Sequence, residues 1–216
     1  MSVRRIVLVL GCLIAIGLPA AIALGAADAP AAAPAPAGMR TAVFAGGCFW
    51  GMEEVFESLR GVSKVVSGFS GGAAATAHYE LVSTGTTGHA ESVQITYDPK
   101  RISYDQLLEV FFTVAHDPTQ LNRQGPDDGT QYRSAIFYAD AAQQHAARAF
   151  VAKLTASKAF PDPIVTQIVP LTAFYPAEAY HQHFARLHPH YPYIVYNDAP
   201  KLAALERRFP QLVASK

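Results

Sequence analysis

An α+β fold is predicted by three features of this 216-residue chain. The stretch Ala90 to Tyr97 alternates, with Ser92, Gln94 and Thr96 on one side and Val93, Ile95 and Tyr97 on the other. That two-residue period marks a half-buried strand. Segments of helical period interleave with β-prone runs in the order β-α-β-β-α-β up to Tyr138, the order of a split βαβ unit. Apolar residues make up 50% of the chain and charged ones 16%, which excludes a solvated, disordered polymer. The expected architecture is a ferredoxin-like, two-layer sandwich with extra C-terminal helices.

The elements follow in order. Thr41 to Ala45 is β-prone and runs into Gly46-Gly47, a pair that permits a sharp turn. From Phe49 to Arg60, Met52, Val55, Phe56 and Leu59 share one helical face, and Gly61 stops the helix. Val62 to Gly68 reads as a second strand and Ser70 to Ala77 as a loop rich in Gly and Ala. After the alternating strand, Asp98-Pro99 ends the run, and Ser103 with Gln106 forms a capping box before a helix over Leu107 to Val114. Asp127 to Gly129 marks a turn, and Tyr132 to Tyr138 is a strand. Asp140 caps an Ala-rich helix reaching Ser157, and Ile164 to Val169 is a fifth strand. Glu178 to Leu187 and Lys201 to Arg208 are expected as helices.

The N-terminal segment reads as an address. Arg4 and Arg5 precede Ile6 to Ala27, a run without charge, as in a signal peptide with a basic n-region or an N-terminal membrane anchor. Residues 28–38 form an Ala/Pro-rich linker, and 39–216 form one domain. The expected location is exported, periplasmic or otherwise extracytoplasmic, with residues 6–27 as an inner-membrane anchor where the leader is retained.

Composition also excludes function classes. Basic and acidic side chains balance at 17 each, so nothing points to nucleic acid. Two cysteines, Cys12 and Cys48, exclude a multi-disulfide scaffold. Removal of the leader would leave Cys48 as a lone thiol, either inert and buried or reactive. Its place between a strand and a helix N-terminus would favour the thiolate, lowering its pKa from about 8.5 toward ~7. The competing reading is a small buried hydrophobe. Phe49 and Trp50 cannot both point inward from one turn, so one of them should line a hollow. Glu91 falls on the apolar side of its strand, where burial would raise its pKa and make it a general acid; an edge position open to solvent is the alternative.

His181, His183, His188 and His190 fall within ten residues, but no cysteine or nearby carboxylate set completes a metal site in the sequence. No metal is therefore assigned. His78 and His89 are the candidate bases of an alternative Cys/His thiol hydrolase or acyltransferase.

Gly-Cys-Phe-Trp-Gly at 47–51, Gly-His-Ala-Glu at 88–91, Tyr-Asp-Pro at 97–99 and Gly-Thr-Gln-Tyr-Arg-Ser at 129–134 resemble the A type of peptide methionine sulfoxide reductase. His116-Asp117-Pro118-Thr119, Asn122-Arg123-Gln124-Gly125 and Tyr180-His181-Gln182 are similar to that family too, in the same order. The resemblance implies reduction of methionine S-sulfoxide, free or in proteins, to methionine, and hence repair of oxidative damage. It implies that Cys48 attacks the sulfoxide sulfur and becomes a sulfenic acid, and that Glu91 protonates the oxygen. Tyr79, Tyr132 and Asp127 would surround that oxygen, and Phe49 and Trp50 would hold the S-methyl group. No bound cofactor is implied. Many relatives carry further cysteines, whereas none follows Cys48 here. The reductant is then external: a small thiol, or a thioredoxin- or glutaredoxin-like protein. Oxidised proteins or peptides are the expected substrates and a monomer the expected state.

Overall fold

The computed structural model describes residues 35–214. The proposed leader and most of the linker lie outside the described residues. No helix among the described residues is long and apolar enough to cross a membrane.

Strand β1 (Arg40–Gly46) leads through Gly47 into helix α1 (Phe49–Glu57), and β2 (Val62–Ser70) follows. A single helical turn, α2 (Tyr79–Val82), precedes β3 (Ala90–Tyr97) and α3 (Tyr104–Val110). Two short paired strands, β4 (Arg123–Gln124) and β5 (Asp127–Asp128), lie before β6 (Ser134–Tyr138) and α4 (Ala141–Ala156). The chain closes with β7 (Gln167–Pro170), β8 (Phe174–Pro176), α5 (Phe184–Leu187) and α6 (Ala199–Arg208).

Six strands form one mixed sheet in the order β7-β6-β1-β3-β2-β8. Every pair is antiparallel except β6–β7. Helices cover one face, where Phe44 stacks near Phe56 and Phe111 at ring separations of 5.8 and 4.8 Å. Each of these rings is fully buried, and burying one such side chain stabilises the fold by about 1.5–3 kcal/mol. A smaller cluster of Val43, Ala45, Ala135, Phe137 and Phe174 occupies the other face.

The expected capping box is present: Ser103 Oγ accepts from the Gln106 N–H at 3.2 Å, and Gln106 Oε1 accepts from the Ser103 N–H at 2.9 Å. The helix starts at Tyr104 and loosens into a π turn over Phe111–Ala115. There a ring nitrogen of His116 bonds the Phe111 carbonyl at 2.8 Å.

Three expectations are corrected. α1 ends at Glu57 because Ser58 turns the chain toward an isolated bridge between Leu59 and Val213. Tyr132 belongs to a 3₁₀ turn before β6, so the strand begins at Ser134. The helix expected over Glu178 to Leu187 is broken. Gln182 instead binds the edge of β2, its amide oxygen accepting from the Ser67 N–H at 3.0 Å and its amide nitrogen donating to the Ser67 carbonyl at 2.9 Å. His183 then takes a left-handed φ of 57°. Tertiary hydrogen bonds override the local helical pattern here.

Candidate active site

One end of the sheet gathers the chemistry. The C-terminal ends of β1 and β2 lie beside the N-terminal ends of β3 and β6, with Phe69 opposite Glu91 and Gly46 opposite Ser134. Cys48 leaves the end of β1, Glu91 opens β3, and Tyr132 precedes β6. Gly47 has φ 92°, and a Cβ there would lie 2.5 Å from the Gln124 side chain, so the turn into Cys48 requires glycine. Gly51 is equally constrained, because an added Cβ would strike the buried Asp198 carboxylate.

A cavity of about 230 Å³ is lined by Cys48, Phe49, Trp50, Tyr79, Glu91, Asp127, Tyr132, Tyr191 and Tyr193. All seven residues singled out in the sequence therefore meet around one hollow. Three larger hollows, of about 330, 470 and 580 Å³, hold no thiol. Phe49 is buried against Phe69 and His181, at ring separations of 5.8 and 5.0 Å, and Trp50 is half-buried. Trp50 stacks on Phe184 with centroids 3.9 Å apart and donates its indole N–H to His181 Nδ1 at 3.1 Å. The two adjacent aromatics thus diverge as their spacing required.

Glu91 is 2% exposed, and its Oε2 accepts from the Phe49 N–H at 3.1 Å. Burial pushes its carboxyl up to about 8, ahead of the opposing pull of that N–H. The buried reading of Glu91 holds and the solvent-open one does not.

Cys48 corrects the expectation of a lowered thiol pKa. Burial pushes the thiol well above its ordinary value, Glu91 and Asp198 add to this, and the Trp50 N–H and Lys201 only partly offset it. The helix terminus acts on the sulfur as expected, but burial of the sulfur outweighs it, and the two carboxyl groups add to the rise. Tyr79 is pushed up to about 12, first by burial and then by Glu91 and Cys48. Tyr132 and Tyr193 also move up, chiefly through burial. Near neutrality the thiol, the Glu91 carboxyl and these three phenols all keep their protons. Such a hollow offers several hydrogen-bond donors to a polar oxygen and an apolar wall to whatever carries it.

Tyr193 donates its hydroxyl to Asp127, which fixes that carboxylate at the rim. The sequence reading missed Tyr191, Tyr193 and the buried Asp198, which forms a 3.0 Å ion pair with Lys201. The only advance signal was the aromatic density of Tyr191-Pro192-Tyr193.

The candidate Cys/His pair does not form. Both ring nitrogens of His89 are held by backbone, Nδ1 by the Gly72 N–H at 3.2 Å and Nε2 by the Ala73 carbonyl at 3.0 Å. His78 faces Glu178 at 4.0 Å and does not line the cavity. The C-terminal histidines also disperse: His181 packs on Tyr79, His188 on Phe184, and His183 turns toward Glu53 and Glu57. A carboxylate set therefore does approach one of them, supplied by α1 at a sequence distance that concealed it.

The family model described as peptide methionine sulfoxide reductase matches residues 40–212. A peptide methionine sulfoxide reductase MsrA 2 from Mesorhizobium japonicum is 58% identical over 179 residues, covering 83% of this chain and 92% of that protein. One of the same name from Synechocystis is 52% identical, covering 83% of this chain and 82% of that protein. Among solved structures, methionine sulfoxide reductase A of Corynebacterium diphtheriae is 38% identical with a TM-score of 0.64, over 71% of this chain and 77% of that one. Reduced Mxr1 from Saccharomyces cerevisiae is 32% identical with a TM-score of 0.68, over 74% of this chain and 91% of that one. The thiol, the carboxyl group and the tyrosines thus stand in a chain that belongs to the peptide methionine sulfoxide reductase family, in its A type.

Proposed function

We propose that Cys48 is the nucleophile and Glu91 the acid of methionine sulfoxide reduction by this chain. The observation that carries the assignment is their meeting in one cavity, with Glu91 anchored by the Phe49 N–H and its carboxyl pushed up to about 8 by burial. A sulfoxide oxygen leaves only when protonated, so the reaction needs a sulfur nucleophile and a neutral acid together. The substrate sulfoxide oxygen accepts hydrogen bonds from Glu91, Tyr79 and Tyr132, while Phe49 and Trp50 hold its S-methyl group. Cys48 sulfur attacks the sulfoxide sulfur and forms an S–S bond, the Glu91 proton moving to the oxygen and the thiol proton replacing it on the Glu91 carboxylate. The oxygen then passes to Cys48 as a sulfenic acid while the S–S bond and the S–O bond to methionine both break, and two electrons have moved from Cys48 to the substrate. With the thiol pushed up at rest, the thiolate forms only together with proton transfer to bound sulfoxide. The S epimer is the proposed substrate.

Two external thiols return the sulfenic acid to thiol, giving a disulfide and water. Cys48 is the only cysteine among the described residues, which supports an external donor. A thioredoxin-like protein is the proposed partner; Mxr1 is described in a complex with Trx2. A domain over 39–216 behind a leader at 1–27 and a linker at 28–38, exported and monomeric, completes the proposal. It rests on the charge pattern of that segment. The order β6-β1-β3-β2, with α1 and α3 as crossovers, supports the ferredoxin-like reading of the central four strands.

The test is a single-turnover assay with a methionine sulfoxide peptide and no reductant. One methionine per chain should form, and dithiothreitol should restore turnover. A Cys48→Ser chain that still reduces the peptide would overturn the assignment.

A further inference from the structure

Further along α1, on a side that takes no part in the thiol cavity, Glu53, Glu57 and His183 bring three ligand atoms within 4.8 Å of one another. The two glutamates are one helical turn apart, so they share a face. Glu53 is 1% exposed, and its Oε2 is fixed by the Ser67 hydroxyl at 3.1 Å and the His183 N–H at 2.8 Å. Its other oxygen, Oε1, is buried without a hydrogen-bond partner and lies 3.7 Å from His183 Nδ1. That nitrogen has no hydrogen-bond partner either, although Glu57 Oε1 stands 2.7 Å away, off the line of a bond. A buried carboxylate oxygen without a partner, beside an imidazole nitrogen that makes no hydrogen bond and meets only a second carboxylate, calls for a common partner. A cation placed among the three atoms satisfies both.

We propose that Glu53, Glu57 and His183 form a binding site for one divalent transition ion of the zinc class. Two carboxylates and one imidazole suit such an ion, and the partial exposure of His183 leaves room for a water as fourth ligand. Arg186 and Lys64 border the group and oppose the ion, so binding is moderate rather than tight. His183 lies between His181, which accepts the Trp50 indole N–H, and Phe184, which stacks on Trp50. The ion would therefore clamp α1 to the wall of the thiol cavity, and Trp50, the sole tryptophan, should report it.

The experiment titrates Zn²⁺ into the full chain carrying Cys12→Ser and Cys48→Ser, read by calorimetry and by Trp50 fluorescence. One ion should bind per chain with a micromolar midpoint, raise the thermal midpoint of unfolding and change the fluorescence. His183→Ala and Glu57→Gln should each weaken binding by more than about 10-fold. His188→Ala and His190→Ala should leave it unchanged. Absence of saturable binding would overturn the site, as would affinity that survives both His183→Ala and Glu57→Gln or that depends on His188 or His190. Glu57→Gln keeps the size of a partly exposed side chain, so its result stands even where His183→Ala disturbs the fold.

Discussion

Helix α1 carries a buried glutamate on one flank and is met by another at its N-terminus. Glu91 caps the Phe49 N–H and is pushed up to about 8; Glu53 accepts from the His183 N–H and is pushed up to about 7. Burial leads in both cases, and each carboxyl has one backbone donor pulling the other way. Only Glu91 faces a cavity with a thiol in it. Glu53 looks at Ser67, His183 and Glu57 instead. A raised carboxyl pKa therefore marks burial, and access to a nucleophile beside open space is what makes such a group an acid catalyst.

The strongest way to break this comparison is to remove each proton source in turn. Glu91→Gln should slow single-turnover sulfoxide reduction by about 10²–10⁴-fold while Cys48 still alkylates. Glu53→Gln should leave that rate within a few fold. In the wild type the rate should hold at neutral pH and fall as pH rises through about 8, because deprotonated Glu91 has no proton to give. That limb should vanish in Glu91→Gln. A limb that persists would place the proton on another group.

Stability should separate the pair less sharply. Each folded carboxyl binds its proton above the ordinary value of 4.5, where the unfolded chain has released it. The contribution of each is fully present below pH 4.5 and is lost as pH rises toward about 7 for Glu53 and about 8 for Glu91. With an upper bound of roughly 5 kcal/mol for Glu91 and roughly 3 kcal/mol for Glu53, urea unfolding in the presence of a chelator should show stability falling across that window. Replacement of either residue by Gln should flatten its share of the slope. An unchanged slope in Glu53→Gln would mean that its carboxyl ionises near the ordinary value in the folded chain.

The same contrast explains what the sequence made legible. Strand alternation placed Glu91 on the buried side, because a two-residue period needs only local information, and the structure agrees. The turn at Gly46-Gly47 and the helix start placed Cys48 for the same reason. The approach of Glu53 and Glu57 to His183 spans about 130 residues and depends on Gln182 capturing the β2 edge, which no local period encodes. The expectation of a lowered thiol pKa fails because the helix terminus is visible in sequence, whereas the burial of the sulfur, and after it the two carboxyl groups that add to the rise, are not. Tyr193 was missed likewise, since it reaches Asp127 from the far end of the chain.

The smallest expected effect tests the cavity wall that both flanks of α1 share. Trp50 stacks on Phe184 at 3.9 Å and donates to His181 Nδ1 at 3.1 Å, so its two contributions can be separated. Trp50→Phe keeps an aromatic ring on Phe184 and removes the donor, leaving buried His181 with an unpaired Nδ1. A lost hydrogen bond of this kind costs about 1 kcal/mol, or roughly fivefold in an equilibrium constant. In the proposed arrangement Trp50 holds the substrate methyl group and touches no proton in flight, so that loss should raise KM by roughly this factor and leave kcat and the limb near pH 8 in place. Trp50→Ala removes the stack as well and should raise KM further, again without slowing alkylation of Cys48. A fall in kcat with unchanged KM in Trp50→Phe would instead place the indole in the chemical step, and the wall would then belong with Glu91 rather than with the binding of substrate.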